Sequence, residues 1–113
     1  METIDLGNGA ECEIYDNGDK VWWLNDKLHR ADGPAIELSN GYKAWYLNDK
    51  LHRTDGPAIE RVNGDKEWYL NGKRHRTDGP AIEYADGRKS WYINGIQYSE
   101  EDFEQVKEVL WAM

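Results

Sequence analysis

Aromatic and aliphatic residues alternate with polar ones in short bursts along this chain, and each burst stops at an Asn-Gly, Asn-Asp or Asp-Gly pair. Lys66-Glu67-Trp68-Tyr69-Leu70 runs into Asn71-Gly72 and leaves through Lys73-Arg74-His75. Alternation broken by Asn-Gly predicts a β-hairpin, because both central turn residues must take positive φ. Asn25-Asp26 and Asn48-Asp49 stand at the equivalent turns, with a second residue that tolerates positive φ less well than glycine. A further break follows at Asp32-Gly33-Pro34, Asp55-Gly56-Pro57 and Asp78-Gly79-Pro80. There Asp can bond its own following backbone, Gly turns freely and Pro cannot donate to a ladder. Pro-Ala-Ile-Glu then predicts a second short strand.

This pattern repeats. Asn17-Gly18, Asn40-Gly41, Asn63-Gly64 and Asp86-Gly87 start successive copies at a constant step of 23 residues. A fixed period of this length means one supersecondary unit stacked on itself. Full repeats span 17–39, 40–62 and 63–85, with a partial one at 86–98. Two antiparallel strands per repeat predict seven or eight in all, in a single-layer antiparallel meander with no crossover helix. Residues 11–15 read as an atypical first strand, and 1–9 as a loose lead-in or short edge strand.

Period-two alternation assigns the faces. Trp22 with Leu24, Trp45 with Leu47, Trp68 with Leu70 and Trp91 with Ile93 point one way, as the expected spine of the core. Trp23, Tyr46, Tyr69 and Tyr92 point the other way, beside the variable Val21, Ala44, Glu67 and Ser90. That second column has a half-exposed character: it either covers the back of the sheet or meets a partner.

After Asn94-Gly95 the period changes. Ser99-Glu100-Glu101-Asp102 is a capping-box variant whose acids suit a helix N-terminus, and Tyr98 and Phe103 have the spacing of a hydrophobic staple. Phe103, Val106, Val109, Leu110 and Met113 share one helical face. Residues 99–113 are therefore expected to form a helix capping the exposed end of the array. The fold class is mainly β, one domain of 113 residues.

Six Trp and seven Tyr separate this polar chain, of mean hydropathy −0.94, from a disordered acidic tail. The lone Cys12 excludes an intramolecular disulfide and fits a reducing cytoplasm. With no apolar run resembling a signal peptide or a span, the expectation is a cytoplasmic chain off the membrane, in host cytoplasm if viral. Residues 1–19 hold six acids and no Lys or Arg, while 99–113 hold five acids against Lys107. The net charge of −8 is thus −6 and −4 at the ends around an array of +2. No basic stripe exists to neutralise phosphates, so direct nucleic-acid binding is not expected.

The run Asn71-Gly72-Lys73-Arg74-His75, the 23-residue period and the glycine-punctuated two-strand unit together resemble MORN repeats over residues 17–95. The form is the divergent MORN-like one of bacterial, phage and giant-virus proteins: Arg-x-Asp-Gly-Pro follows His, and Trp stands three positions before Asn. The resemblance implies a curved antiparallel β array serving as a protein-interaction scaffold that sometimes self-associates.

Candidate chemistry dissolves under the repeat. His29, His52 and His75 lie two strands apart, about 9.5 Å, whereas zinc ligands sit ~2.0–2.1 Å from one metal. The pairs His29/Asp32, His52/Asp55 and His75/Asp78 suggest a general base with its carboxylate, but three identical copies read better as a bond pinning the loop. Arg30, Arg53 and Arg76 are expected to pair with Glu37, Glu60 and Glu83 or to stack on aromatic rings. No glycine turn leads from strand to helix as a phosphate loop requires, and Cys12 lacks a basic neighbour. No catalytic, metal or cofactor site is expected.

The function expected is non-catalytic protein binding, as a small viral or bacterial accessory protein that blocks a host enzyme, for instance as a phage counter-defence inhibitor. Candidate contact residues are the column Trp23, Tyr46, Tyr69, Tyr92 and the acids Glu100, Glu101, Asp102 and Glu104. One alternative is acidic mimicry of nucleic acid against a nuclease or CRISPR-type effector. Another is a nucleotide sponge stacking ligands on Trp and Tyr between protomers. Exposed edge strands make a homodimer an expectation too.

Overall fold

The computed structural model describes residues 1–112, apart from the side chains of Trp111 and Ala112, and the fold is mainly β with one C-terminal helix. β1 (Glu2–Gly7) and β2 (Ala10–Ile14) form a leading hairpin, so residues 1–9 supply an edge strand. β3 (Lys20–Leu24), β4 (Lys27–Leu28) and β5 (Ile36–Glu37) belong to the first repeat. The second contributes β6 (Lys43–Ala44), β7 (Tyr46–Leu47), β8 (Lys50–Leu51) and β9 (Ile59–Glu60). The third contributes β10 (Lys66–Glu67), β11 (Tyr69–Leu70), β12 (Lys73–Arg74) and β13 (Ile82–Glu83). β14 (Lys89–Ile93), β15 (Ile96–Tyr98) and α1 (Glu100–Ala112) close the fold.

Fifteen short strands replace the seven or eight expected, because the return arms β4, β8 and β12 are strands of their own and the outgoing strand divides at Trp45 and Trp68. The Trp45 N–H donates to the Ala58 carbonyl, while the Trp45 carbonyl accepts from the His52 N–H. Trp68 does the same with Ala81 and His75. Each of these residues thus gives its amide to one ladder and its carbonyl to another, which splits the long strand in two. The first ladder is an antiparallel sheet in the order β1-β2-β3-β5-β6-β9-β10-β13-β14-β15, with β4 beside β3. The second is a file of hairpins, including β7-β8 and β11-β12. Neighbouring hairpins are stitched together by Asp49 N–H to Leu28 O, Gly72 N–H to Leu51 O and Gly95 N–H to Arg74 O.

Every hairpin turn takes positive φ at both central residues: Asn25 at 48° with Asp26 at 64°, Asn48 at 49° with Asp49 at 66°, and Asn71 at 50° with Gly72 at 80°. Asp49 is kept there because its Oδ1 accepts the Leu28 N–H of the preceding hairpin at 2.7 Å.

Two rows cross the main sheet. Lys20, Glu37, Lys43, Glu60, Lys66, Glu83 and Lys89 oppose one another strand by strand, an unbroken alternation of charge. One position on, the row reads Val21, Ile36, Ala44, Ile59, Glu67, Ile82, Ser90. This corrects the expected core. Trp22, Trp45, Trp68 and their Leu partners are only half-buried, while Ala35, Ala44, Ala58 and Ala81 are fully enclosed and Ile59 and Ile82 nearly so. The small alanines are enclosed completely, and Ala35, Ala58 and Ala81 are tied by their carbonyls to the amides of Trp22, Trp45 and Trp68. Ala44 and Glu67, expected on a half-exposed face, are buried.

α1 is capped as expected, with the Asp102 N–H donating to Ser99 Oγ at 3.1 Å. It packs on β14 and β15 through Phe103, 1% exposed. The apolar face does not dock along its length, since Val109 and Leu110 are exposed; Met113 lies outside the described residues.

Candidate protein-binding faces

In all three repeats the arginine after histidine forms one clamp. Arg53 lies 3.8 Å over the Trp45 ring, donates from Nε to Asp55 at 2.9 Å, and from Nη1 to the Pro57 carbonyl at 3.0 Å and Glu60 at 3.1 Å. Arg30 does this with Trp22, Asp32, Pro34 and Glu37, and Arg76 with Trp68, Asp78, Pro80 and Glu83. Stacking and pairing, posed as alternatives by the sequence, occur together. The Arg53 guanidinium holds the Asp55 carboxyl below the usual range. Gly33, Gly56 and Gly79 have no positive φ; a Cβ there would come within 2.9 Å of the guanidinium carbon. Glycine is required by the arginine rather than by the turn.

The histidines do not bond the Asp three residues on. His29 Nδ1 accepts the Asn48 N–H at 3.0 Å, His52 Nδ1 that of Asn71 at 3.0 Å, and His75 Nδ1 that of Asn94 at 2.9 Å. Each imidazole therefore joins its repeat to the next hairpin and is neutral at Nδ1. Burial lowers the pKa of His75. Among the described residues, no group of three or more His, Cys, Asp or Glu side chains is placed to share a metal ion, and no helix is long and apolar enough to cross a membrane. Burial raises the pKa of the Cys12 thiol, which leaves it protonated.

The aromatic column comes one residue per hairpin. The carbonyls of Tyr46, Tyr69 and Tyr92 accept the N–H groups of Arg30, Arg53 and Arg76, which locks the spacing of the rings. All four, Trp23 included, are half-buried. Burial raises the phenol pKa of Tyr46 and Tyr69, so both are neutral donors at physiological pH. The Trp23 indole N–H is sealed from solvent without a partner. The acids Glu100, Glu101, Asp102 and Glu104 are exposed on α1, at the far end of the sheet from the acid-bearing β1 and β2.

Between column and array lies a cluster that sequence reasoning missed. Glu67, 6% exposed, occupies the buried row between Ile59 and Ile82. Its Oε2 accepts from Arg61 Nε and Nη2 at 2.8 Å, its Oε1 from the Tyr69 hydroxyl at 3.0 Å, and Arg74 Nη2 stands 3.7 Å away. Arg74 also donates to the Tyr69 oxygen at 3.2 Å and lies 5.3 Å from the Tyr92 ring. One repeat earlier the same positions are Leu38, Ala44 and Leu51. The signal was in the sequence: three departures of compensating charge from the residues one period earlier, close together across the junction of the second and third repeats.

On the Trp-Leu side, three open cavities follow the repeat, of about 330, 550 and 660 Å³. The second is floored by Trp45 and Leu47 and walled by the Arg30–Pro34 and His52–Asp55 loops. The third has Trp68 and Leu70 as floor and the Arg53–Gly56 and His75–Asp78 loops as walls. Compared with protein-family models, curated proteins and solved structures, the chain matches none.

Proposed function

We propose that this chain is a MORN-like, non-catalytic protein-binding module whose contact surface is the Tyr column around Arg61 and Arg74. The observation that carries this is buried Glu67. Replacing a buried ion cluster by apolar residues of similar size is often neutral or stabilising, so stability alone gives no reason to exchange Leu, Ala, Leu for Arg, Glu, Arg. The exchange sets two guanidiniums, each with under half its side chain exposed, among Tyr69, Tyr92 and Tyr42. Tyr and Arg are the side chains that most often anchor protein interfaces. Within this reading the chain acts by covering part of another protein, as an accessory inhibitor of an enzyme would. The acids favour this over nucleic-acid mimicry, because they stand at opposite ends of the sheet rather than in one row.

The test is to restore the residues found one period earlier with Arg61→Leu, Glu67→Ala and Arg74→Leu together. Tagged wild type and the reverted chain are then used as paired baits in the same cell extract. The reading expects a partner bound by wild type and lost by the folded reverted chain. Identical recovery by both, or no protein specific to wild type, overturns it.

A further inference from the structure

We infer that the cavity row is a second site, which takes a basic, proline-rich segment in the polyproline II conformation. This goes beyond the Tyr-column reading and does not depend on it. Equivalent cavities stand two strands apart, about 9.5 Å at a strand spacing of ~4.7–4.9 Å. A polyproline II helix has three residues per turn and a rise of ~3.1 Å, hence a repeat of about 9.3 Å that returns the same side chain to the same side. An extended β-strand fails this match, because its side chains alternate and every third residue points away.

The lining fits that ligand chemically. Each floor is Trp beside Leu, and aromatic-lined grooves are the usual seat of proline-rich segments. A polyproline II backbone has no internal hydrogen bonds, so its carbonyls seek donors. Donors recur at the same period. His52 and His75 use Nδ1 as acceptor, which leaves the proton on Nε2, and those Nε2–H groups have no partner among the described residues. The indole N–H groups of Trp45 and Trp68 likewise have none, and neither donor type is sealed from solvent as that of Trp23 is. The rim then sets the charge. Asp32, Asp55 and Asp78 keep 86, 82 and 77% of their side chains exposed, whereas the arginines they pair with keep about a fifth. A cation at every third ligand position meets one carboxylate per repeat.

The experiment titrates the purified chain with a peptide of five Pro-Pro-Arg units. The control has the same composition, with its arginines gathered at one end. The expected result is saturable binding of the periodic peptide, about tenfold tighter than the control, with a change in Trp fluorescence. Thr54→Arg with Thr77→Arg, which crowds two cavities from the rim and offsets the aspartates, should weaken binding about tenfold while the chain stays folded. The Arg61→Leu, Glu67→Ala, Arg74→Leu chain should bind the peptide as wild type does, which separates this site from the Tyr column. No binding at millimolar peptide, equal binding of the control, or loss of binding in the reverted chain but not in the Thr variant overturns the inference.

Discussion

The second and third repeats hold their arginines in the same way. Arg53 and Arg76 stack at 3.8 and 3.9 Å, reach Asp at 2.9 and 2.8 Å, and reach Glu at 3.1 and 2.9 Å. Yet Leu38, Ala44 and Leu51 in one frame become Arg61, Glu67 and Arg74 in the next. What repeats satisfies itself and builds the array; what departs from the repeat concentrates charge and aromatic edge at one place. The difference teaches where to look for specificity in a repeat protein: at the positions the scaffold does not need.

The comparison breaks first if the clamp is not structural. Arg53→Ala removes a stacked, half-buried guanidinium and three hydrogen bonds, and should cost about 3 kcal/mol, read by urea unfolding. Arg76→Ala should cost the same. Gly56→Ala should also destabilise, and far less in the Arg53→Ala background, because the group its Cβ would strike is then gone. Equal costs in both backgrounds would place the glycine's role in the backbone instead.

A smaller effect separates the frames. Arg61→Leu alone leaves buried Glu67 with the Tyr69 hydroxyl and, for a cation, only the longer Arg74 contact, and should cost about 2 kcal/mol, whereas the position one period earlier is already Leu38.

The smallest effect lies on the inter-repeat bonds. The folded-state pKa of His75 is lowered, so the folded chain binds fewer protons there than the unfolded one. Its contribution is full above the unfolded value of about 6.5 and is lost as pH falls below it through the folded value. Melting temperature should therefore drop on acidification below about pH 6.5, and His75→Gln should flatten that drop.

Much of the array was legible in sequence. Period, hairpin turns, antiparallel order and the capped helix follow from local rules that the nearest residues obey. The strand count was not, because the return arms pair as separate strands and the split at Trp45 and Trp68 comes from amide and carbonyl serving different ladders, which alternation does not encode. Face assignment failed for a related reason. Side-chain size predicts burial of the tryptophans, yet Ala58 is fully enclosed while Trp45 is only half-buried. Histidine bonded forward to Asn48, Asn71 and Asn94 rather than to the adjacent loop, a contact 19 residues away that no local motif announces. The Glu67 cluster was visible as three unlike letters in aligned repeats, but its convergence needed coordinates.

At the centre of this reading, the repeat carries the fold while its departures at Arg61, Glu67 and Arg74 do not. Urea unfolding of the Arg61→Leu, Glu67→Ala, Arg74→Leu chain tests it most directly. The account predicts stability equal to or above that of wild type. A loss of about 2 kcal/mol or more would contradict it and make the cluster part of the scaffold.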